Sequence, residues 1–207
     1  MVMASSRSLW ASLAALASGG PPSVPPSEAS RAFAASLRTA CGGGGGNGNG
    51  CDSVPAFFAG SYHEALDAGR REHKAVVLYL HSSLHPDALT FVRDVICGPG
   101  VRAACTNVIA WAGDVSEGDA WDAASRLGAA ALPFIGIYAH VGEGRGGGGT
   151  SGGSYKRLWA AEGANTLTAE ALIATVREIG TRVAAPPPPP RAPVMSAEQY
   201  LRQQQDR

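Results

Sequence analysis

The 207-residue chain carries 17 Lys and Arg residues and 17 Asp and Glu residues, so its formal net charge is zero. Nucleic-acid-binding domains need clustered positive charge, and this balance therefore argues against nucleic acid as a partner. The length allows one domain of ordinary size plus tails. The 27 glycines and 14 prolines fall in discrete blocks, which predicts ordered segments separated by low-complexity stretches.

The first segment, residues 1–20, contains an apolar patch at 9–17 with Trp10, Leu13 and Leu16 at helical spacing. Crossing a bilayer takes about 20 apolar residues, so the patch is too short to span one. Four interpretations stay open: a transit or signal segment, an interfacial helix, the end of a membrane segment, and a disordered start. Residues 1–20 are therefore a candidate for membrane contact.

Residues 21–53 have the composition of a linker. A proline-rich spacer is followed by a predicted short helix over 27–39, which places Phe33 and Leu37 on one face. The glycine tract 42–50 cannot belong to a core. We therefore expect the ordered domain to begin near Val54.

The first helix of the predicted domain, 54–185, begins at a capping box formed by Ser61 and Glu64. The apolar run 75–81 then predicts a strand buried on both faces of a sheet. A polar loop, 82–87, leads into a helix predicted over 86–96. That helix is expected to turn four apolar side chains inward: Leu89, Val92, Val95 and Ile96.

The second half of the domain adds three strands and two helices. The strands are predicted over 107–112, 132–140 and 155–161. A helix opened by Ser116 and Asp119 follows the first of these strands, and the last helix begins at Thr168. A glycine-rich turn, 141–153, joins the last two strands, which should pair antiparallel. Beyond it, residues 186–207 form a proline-rich exit and the start of a polar helix.

The resulting order, α-β-α-β-α-β-β-α, is that of an α/β thioredoxin-like domain with three layers around a mixed four-stranded sheet. A cis-proline usually opens the first strand of the closing hairpin in that fold, and Pro133 occupies this position. We therefore predict a cis peptide bond before Pro133. The prediction depends on position, because only about 5–6% of X–Pro bonds are cis.

Redox enzymes with this fold carry a C-x-x-C motif between the central strand and the next helix. The segment 81–87 has no cysteine, so dithiol exchange there is excluded. Cys97 opens a Cys-Gly-Pro-Gly stretch, but at a helix C-terminus, where the dipole opposes a thiolate. No two cysteines have C-x-x-C spacing, and we expect free thiols in a reducing compartment. The four are Cys41, Cys51, Cys97 and Cys105.

The five histidines show no metal-ligand spacing, and we predict neither a metal, nor a cofactor, nor a catalytic residue. Basic side chains offer a candidate surface for a carboxylate or a lipid head group. Scattered solvated charges are the alternative interpretation. The candidate ligand-binding residues are Lys156, Arg157, Arg70, Arg71 and Lys74.

Several short stretches, in order, resemble the UAS domain of the Fas-associated factor and UBX-domain proteins. They are 57–62, 65–66, 78–81 and 133–134. The tail 201–206 is similar to the start of the helix that follows the UAS domain. The spacer 21–23 and the Phe33 helix resemble the segment after the membrane hairpin of the endoplasmic-reticulum member.

The resemblance implies a redox-inactive UAS domain in a non-enzymatic ubiquitin-pathway adaptor. Family members bind ubiquitin through a UBA domain and recruit valosin-containing protein, an ATPase, through a UBX domain; we expect neither domain in this sequence. The endoplasmic-reticulum member acts in degradation of misfolded proteins, and its UAS domain senses long-chain unsaturated fatty acids. The resemblance thus implies protein or fatty-acid contact, at the cytosolic face of the endoplasmic reticulum membrane or in the cytoplasm.

Two alternatives stay open. One is a thioredoxin-like oxidoreductase that uses Cys97 or Cys105 as a single nucleophile, which would require a depressed thiol pKa. The other is a structural domain between linkers that binds no ligand. The sequence alone does not decide among the three.

Overall fold

The computed structural model describes residues 25–42, 54–141 and 154–184. The helices are α1 (Pro26–Gly42), α2 (Tyr62–Glu72), α3 (Ala88–Phe91), α4 (Val101–Ala104), α5 (Gly118–Leu127) and α6 (Ala169–Ala184). The strands are β1 (Val76–His81), β2 (Ile109–Asp114), β3 (Phe134–Val141) and β4 (Ser154–Glu162). A π-helical segment (Val92–Ile96) continues α3, and a 3-10 turn (Cys105–Asn107) follows α4. The apolar patch at 9–17, the glycine-rich turn and the end at 186–207 lie outside the described residues.

The four strands form one mixed sheet in the order β2-β1-β3-β4. β1 runs parallel to β2 and antiparallel to β3, and β3 and β4 form the predicted antiparallel hairpin. The Leu132–Pro133 peptide bond is cis, as predicted. With helices on both faces of this sheet, the domain has a thioredoxin-like fold in three layers.

Two apolar clusters fill the space on the two sides of the sheet. One packs Val77 and Tyr79 of β1 against α1, α3, the π-helical segment, α4 and α6. The other packs Val76 and Leu78 against α2 and α5. Every residue of β1 is buried, because a central strand covered on both faces has no solvent side.

The structure allows two predicted helix N-caps to be checked, one at Ser61 and one at Ser116. Ser61 and Glu64 form the predicted capping box at the start of α2. Ser116 does not cap α5: its N-cap residue is Glu117, without a side-chain cap. Asp119 instead accepts a hydrogen bond from the backbone N–H of Tyr62 at 3.0 Å, so its carboxylate joins α5 to α2.

The helix predicted over 86–96 is shorter and less regular than expected. Its α-helical part is a single turn, and the backbone then widens into the π-helical segment. Leu89 is 55% exposed, which corrects the prediction of an inward side chain, while Ala88 and Phe91 are buried. The buried positions 88, 91, 92, 95 and 96 keep the spacing of one helical face, and Leu89 lies outside that face.

Helix α1 is longer than the predicted 27–39 and packs on the domain, although the sequence places it in a linker. Leu37 is 3% exposed and belongs to the first apolar cluster. Ser30 donates a hydrogen bond from Oγ to the carbonyl of Phe58 at 3.0 Å. The predicted apolar pair therefore does face one surface, and that surface is the domain itself.

The cysteines also differ from the expectation of free thiols. Cys41, at the end of α1, forms a disulfide with Cys97, which directly follows the π-helical segment. Cys105 is a buried free thiol, and Cys51 lies outside the described residues. The sequence could not indicate this pairing, because the two partners lie 56 residues apart and approach only when α1 folds back on the domain.

Candidate functional site

The parallel strands β1 and β2 end beside each other, with His81 opposite Asp114 in the register. The antiparallel register of β1 and β3 pairs Leu80 with Phe134, so the next position places the cis Pro133 opposite His81. The carboxyl edge of a parallel pair is where α/β proteins bind ligands. This edge is therefore the candidate functional site.

His81 is 5% exposed and is held by two polar neighbours. Its Nδ1 lies 2.8 Å from the hydroxyl of Tyr79, and its Nε2 lies 4.0 Å from Oδ2 of Asp114. When Tyr79 donates to Nδ1, the neutral imidazole carries its proton on Nε2, towards the carboxylate. We call Tyr79, His81 and Asp114 the edge cluster.

Backbone groups of two loops hold the Asp114 carboxylate in place. The N–H of Ser83 donates to Oδ2 at 3.0 Å, and the N–H of Ser116 donates to Oδ1 at 2.9 Å. Both carboxylate oxygens are thus engaged by backbone donors, as a buried charge requires. The role of Asp114 visible here is to fix the loops that follow β1 and β2.

Burial dominates the electrostatics of the edge cluster. Burial lowers the pKa of His81, the Asp114 carboxylate opposes this shift, and His85 adds to it. Burial also raises the pKa of Tyr79 far above its ordinary value, with Asp114 contributing in the same direction. Neutral His81 and neutral Tyr79 are therefore the forms that the folded protein favours at physiological pH.

Helix α1 covers this edge. The ring of Phe33 lies 5.3 Å from the ring of His81, centroid to centroid. A small cavity beneath α1 is lined by Ser30, Phe33 and Asp114 among others. The ring of Phe33 thus covers the buried end of β1, just before the loop where redox members of the fold carry their cysteines.

The thiols provide little support for redox chemistry. Burial raises the pKa of Cys105 to about 11, so this thiol stays protonated at neutral pH, and the thiolate is the reactive form. Cys97 is engaged with Cys41. The depressed thiol pKa that a single-cysteine enzyme requires is absent at Cys105.

The predicted basic residues do not converge on one point. Arg70 pairs with Asp67 at 3.4 Å, and Lys74 pairs with Glu72 at 2.8 Å. Arg157 donates to the carbonyl of Leu127 at 3.4 Å. The remaining two, Lys156 and Arg71, are exposed.

A second groove lies elsewhere and carries the opposite charge. It is a cavity of about 330 Å³ between α3 with its π-helical continuation and the loop before α6. Its lining includes the carboxylates of Asp87, Asp94 and Glu170 over a floor that includes Phe91 and Leu167. These carboxylates disfavour an anionic ligand in this groove.

The chain is similar to curated proteins over part of its length. FAS-associated factor 2 of Homo sapiens is 29% identical over 82 residues, which are 39% of this chain and 18% of that protein. Plant UBX domain-containing protein 10 of Arabidopsis thaliana is 28% identical over 82 residues, 39% of this chain and 17% of that protein. The predicted resemblance is confirmed. The similarity lies in the thioredoxin-like region, and the matched stretch spans less than a fifth of either relative.

No family model matches the chain. Among solved structures, a thioredoxin from Thermus thermophilus is 18% identical with a TM-score of 0.48, covering 64% of this chain and 92% of that chain. A thioredoxin from Trichomonas vaginalis is 16% identical with a TM-score of 0.41, covering 61% and 97%. The strand order and the cis-proline, rather than these scores, define the fold.

Sequence reasoning identified the loop after β1 but missed the edge cluster. His81 was predicted as the last residue of a buried strand and as a histidine without metal-ligand spacing, and Asp114 was not singled out. One signal was available: both residues end apolar runs, and parallel strands end at a common edge. Tyr79 and Phe33 carried no such signal, because their contacts with His81 depend on tertiary packing.

Proposed function

We propose that this chain is a non-enzymatic adaptor of the UAS and UBX type, whose thioredoxin-like domain serves as a docking module. The observation that supports it best is the carboxyl edge, where the edge cluster lies beside a loop, 82–87, that contains no cysteine. The similarity to FAS-associated factor 2 supports the same conclusion. The domain then acts by contact rather than by catalysis.

By this proposal the wider activities of the adaptor follow those of the family. They are ubiquitin binding, recruitment of valosin-containing protein and a role in endoplasmic-reticulum-associated protein degradation. In the family, ubiquitin binding uses a UBA domain and ATPase recruitment uses a UBX domain. The described domain is therefore not expected to supply either of these two activities. No helix among the described residues is long and apolar enough to cross a membrane; membrane contact through residues 9–17 stays a prediction.

A long-chain fatty acid is the proposed small ligand of the domain. Its carboxylate needs a basic partner, and Lys156 and Arg157 on the edge strand β4 are the first candidates. Arg70 and Arg71 of α2, and Lys74 just after it, are the further candidates. The acidic groove is a poor host for the same ligand because its three carboxylates repel an anion. We therefore propose the surface of β4, rather than the groove, as the contact.

Titration of the purified chain with oleate tests the lipid proposal. A ligand that binds only the folded state raises the melting temperature as its concentration passes the dissociation constant. We expect a saturable rise that the double variant Lys156→Ala with Arg157→Ala weakens. A matched variant, Arg93→Ala with Arg177→Ala, removes two exposed charges elsewhere and should leave the response intact. Absence of any shift would eliminate the fatty acid and leave protein docking.

A disulfide-reduction assay separates the adaptor from the oxidoreductase alternative. The chain is expected not to accelerate the reduction of insulin by dithiothreitol, with a thioredoxin as the positive control. Turnover that disappears in the Cys105→Ser variant would contradict the adaptor proposal. Capture of ubiquitin conjugates or of the ATPase from extracts by the immobilised chain would show that this domain, rather than a UBA or UBX domain, makes the contact.

A further inference from the structure

The disulfide between Cys41 and Cys97 joins the last turn of α1 to the end of the π-helical segment. The two Cα atoms lie 6.2 Å apart, within the range that disulfides span. Both cysteines are only partly buried, so small thiols have access to the bond. In a cytosolic protein, a disulfide with these features is usually transient or regulatory rather than permanent.

Helix α1 contacts the domain along its length, and its Ser30, Ala34 and Leu37 are buried. Ser30 binds the Phe58 carbonyl, Phe33 lies against the ring of His81, and Leu37 enters the first apolar cluster. The disulfide adds a covalent tie at Cys41, beyond these contacts. Loss of the disulfide leaves the helix held by non-covalent contacts alone.

We propose that Cys41 and Cys97 form a redox-controlled latch on α1. In the disulfide form the latch holds α1 over the edge cluster, and in the dithiol form α1 detaches and uncovers His81 and the loop after β1. The structure described above is the latched form. This inference goes beyond the adaptor role, because it concerns when the carboxyl edge is accessible rather than which partner it meets.

The switch is an ordinary thiol–disulfide exchange with a dithiol reductant. A thiolate of the reductant attacks one sulfur of the Cys41–Cys97 bond, and the other cysteine leaves as a thiolate. The second thiol of the reductant then resolves the mixed disulfide. The protein gains two electrons and two protons as two thiols, and the reductant is oxidised to its own disulfide.

Peptide mapping of the full chain tests whether the bond forms. After oxidation and blocking of free thiols, trypsin should release residues 39–70 joined to residues 94–102. The first peptide also contains Cys51, so the mapping is repeated in a Cys51→Ser variant, where the joined pair must persist. The pair should disappear in Cys97→Ser and remain in Cys105→Ser. Failure to detect it in the oxidised chain would overturn the proposal.

Hydrogen exchange tests whether the bond controls the helix. We expect the backbone amides of residues 30–40 to exchange at least tenfold faster after reduction with dithiothreitol. Cys41→Ser should show the fast rate in both conditions, and Cys105→Ser should behave as wild type. Equal rates in the oxidised and reduced wild type, with the joined peptides present, would make the disulfide a static crosslink and overturn the latch.

Chemical modification tests whether the edge becomes accessible. Diethyl pyrocarbonate should modify buried His81 after reduction and spare it in the oxidised chain, while half-buried His85 on the same tryptic peptide reports the overall reactivity. If Cys41→Ser fails to fold, reduction of the wild type and the Cys97→Ala variant provide the same comparison. Protection of His81 in the reduced chain would contradict the latch.

Discussion

His81 and its neighbours set the chemistry of the carboxyl edge. A reactive thiol at this edge needs a nearby positive dipole and some access to solvent. Here the edge presents an imidazole between the hydroxyl of Tyr79 and the carboxylate of Asp114, beneath the ring of Phe33. A buried neutral ring with these neighbours packs and hydrogen-bonds but offers no nucleophile for disulfide exchange.

The buried position of His81 predicts an acid-sensitive stability. Its folded-state pKa is lowered mainly by burial, so the unfolded chain binds its proton more readily and the free energy of unfolding falls as the pH drops below about 6.5. His81→Gln should lower the free energy of unfolding by about 1–3 kcal/mol at pH 7, because Tyr79 loses the imidazole as its partner. The variant should also lose less stability than the wild type between pH 7 and pH 5. Urea titrations across this range measure both effects.

A matched control comes from His73, an exposed residue with φ of 52° at the end of α2. Asparagine tolerates that left-handed conformation, so His73→Asn removes a histidine with little strain. The control should keep the pH dependence of the wild type. If His81→Gln retains the full dependence instead, the acid sensitivity belongs to another group.

At the scale of elements, the segment 88–96 shows which side chains reach the core. Leu89 and Phe91 lie two residues apart, yet only Phe91 packs into the first cluster, where its ring stacks on Tyr79 with centroids 6.0 Å apart. Val92, Val95 and Ile96 of the π-helical segment are also buried. Position on the helix face, rather than hydrophobicity alone, decides the burial of this stretch.

Substitution of the two residues should therefore have opposite consequences. Phe91→Ala is expected to lower the free energy of unfolding by about 3–5 kcal/mol, because it removes a buried aromatic ring and leaves a cavity. Leu89→Ala should change stability by less than about 0.5 kcal/mol, since surface changes usually fall within that range. Thermal or chemical denaturation of the two variants measures the difference. Equal losses would mean that Leu89 is buried after all.

At the scale of the whole molecule, α1 is a helix within a stretch of linker composition, and it packs on the thioredoxin-like domain. It packs on the same side of the sheet as α3, α4 and α6 and covers the carboxyl edge. The domain defined by packing therefore includes residues 26–42 as well as the segment from Val54. Partner binding at the carboxyl edge and docking of α1 are then competing events.

The Cys41–Cys97 disulfide should raise global stability as well as hold α1. Its two cysteines lie 56 residues apart in the chain. Crosslinking them is expected to add about 4 kcal/mol to the free energy of unfolding by restricting the unfolded chain. Chemical denaturation of the wild type with and without dithiothreitol measures this contribution. Cys41→Ser should show no difference between the two conditions; a difference in that variant would assign the effect to another pair.

Much of this organisation follows from local sequence. The capping box at Ser61, the buried strand β1 and the cis bond before Pro133 were all predicted, because each depends on neighbouring residues or on the order of elements. The exposure of Leu89 was missed because the predicted face began at Leu89, whereas the buried face begins at Ala88, a small residue with a weak hydrophobic signal. The disulfide was missed because spacing along the chain does not reveal contacts between distant residues.

The sequence by itself determined the order of the elements, the thioredoxin-like fold class and the absence of cysteine from the loop after β1. Hydrophobic periodicity and turn residues act over a few positions, and they suffice for those conclusions. Only the tertiary structure decided that α1 packs on the domain, that Tyr79, His81 and Asp114 meet at one edge, and that Cys41 reaches Cys97. Such contacts join residues far apart in the chain, and they exist only after the sheet and its covering helices have assembled.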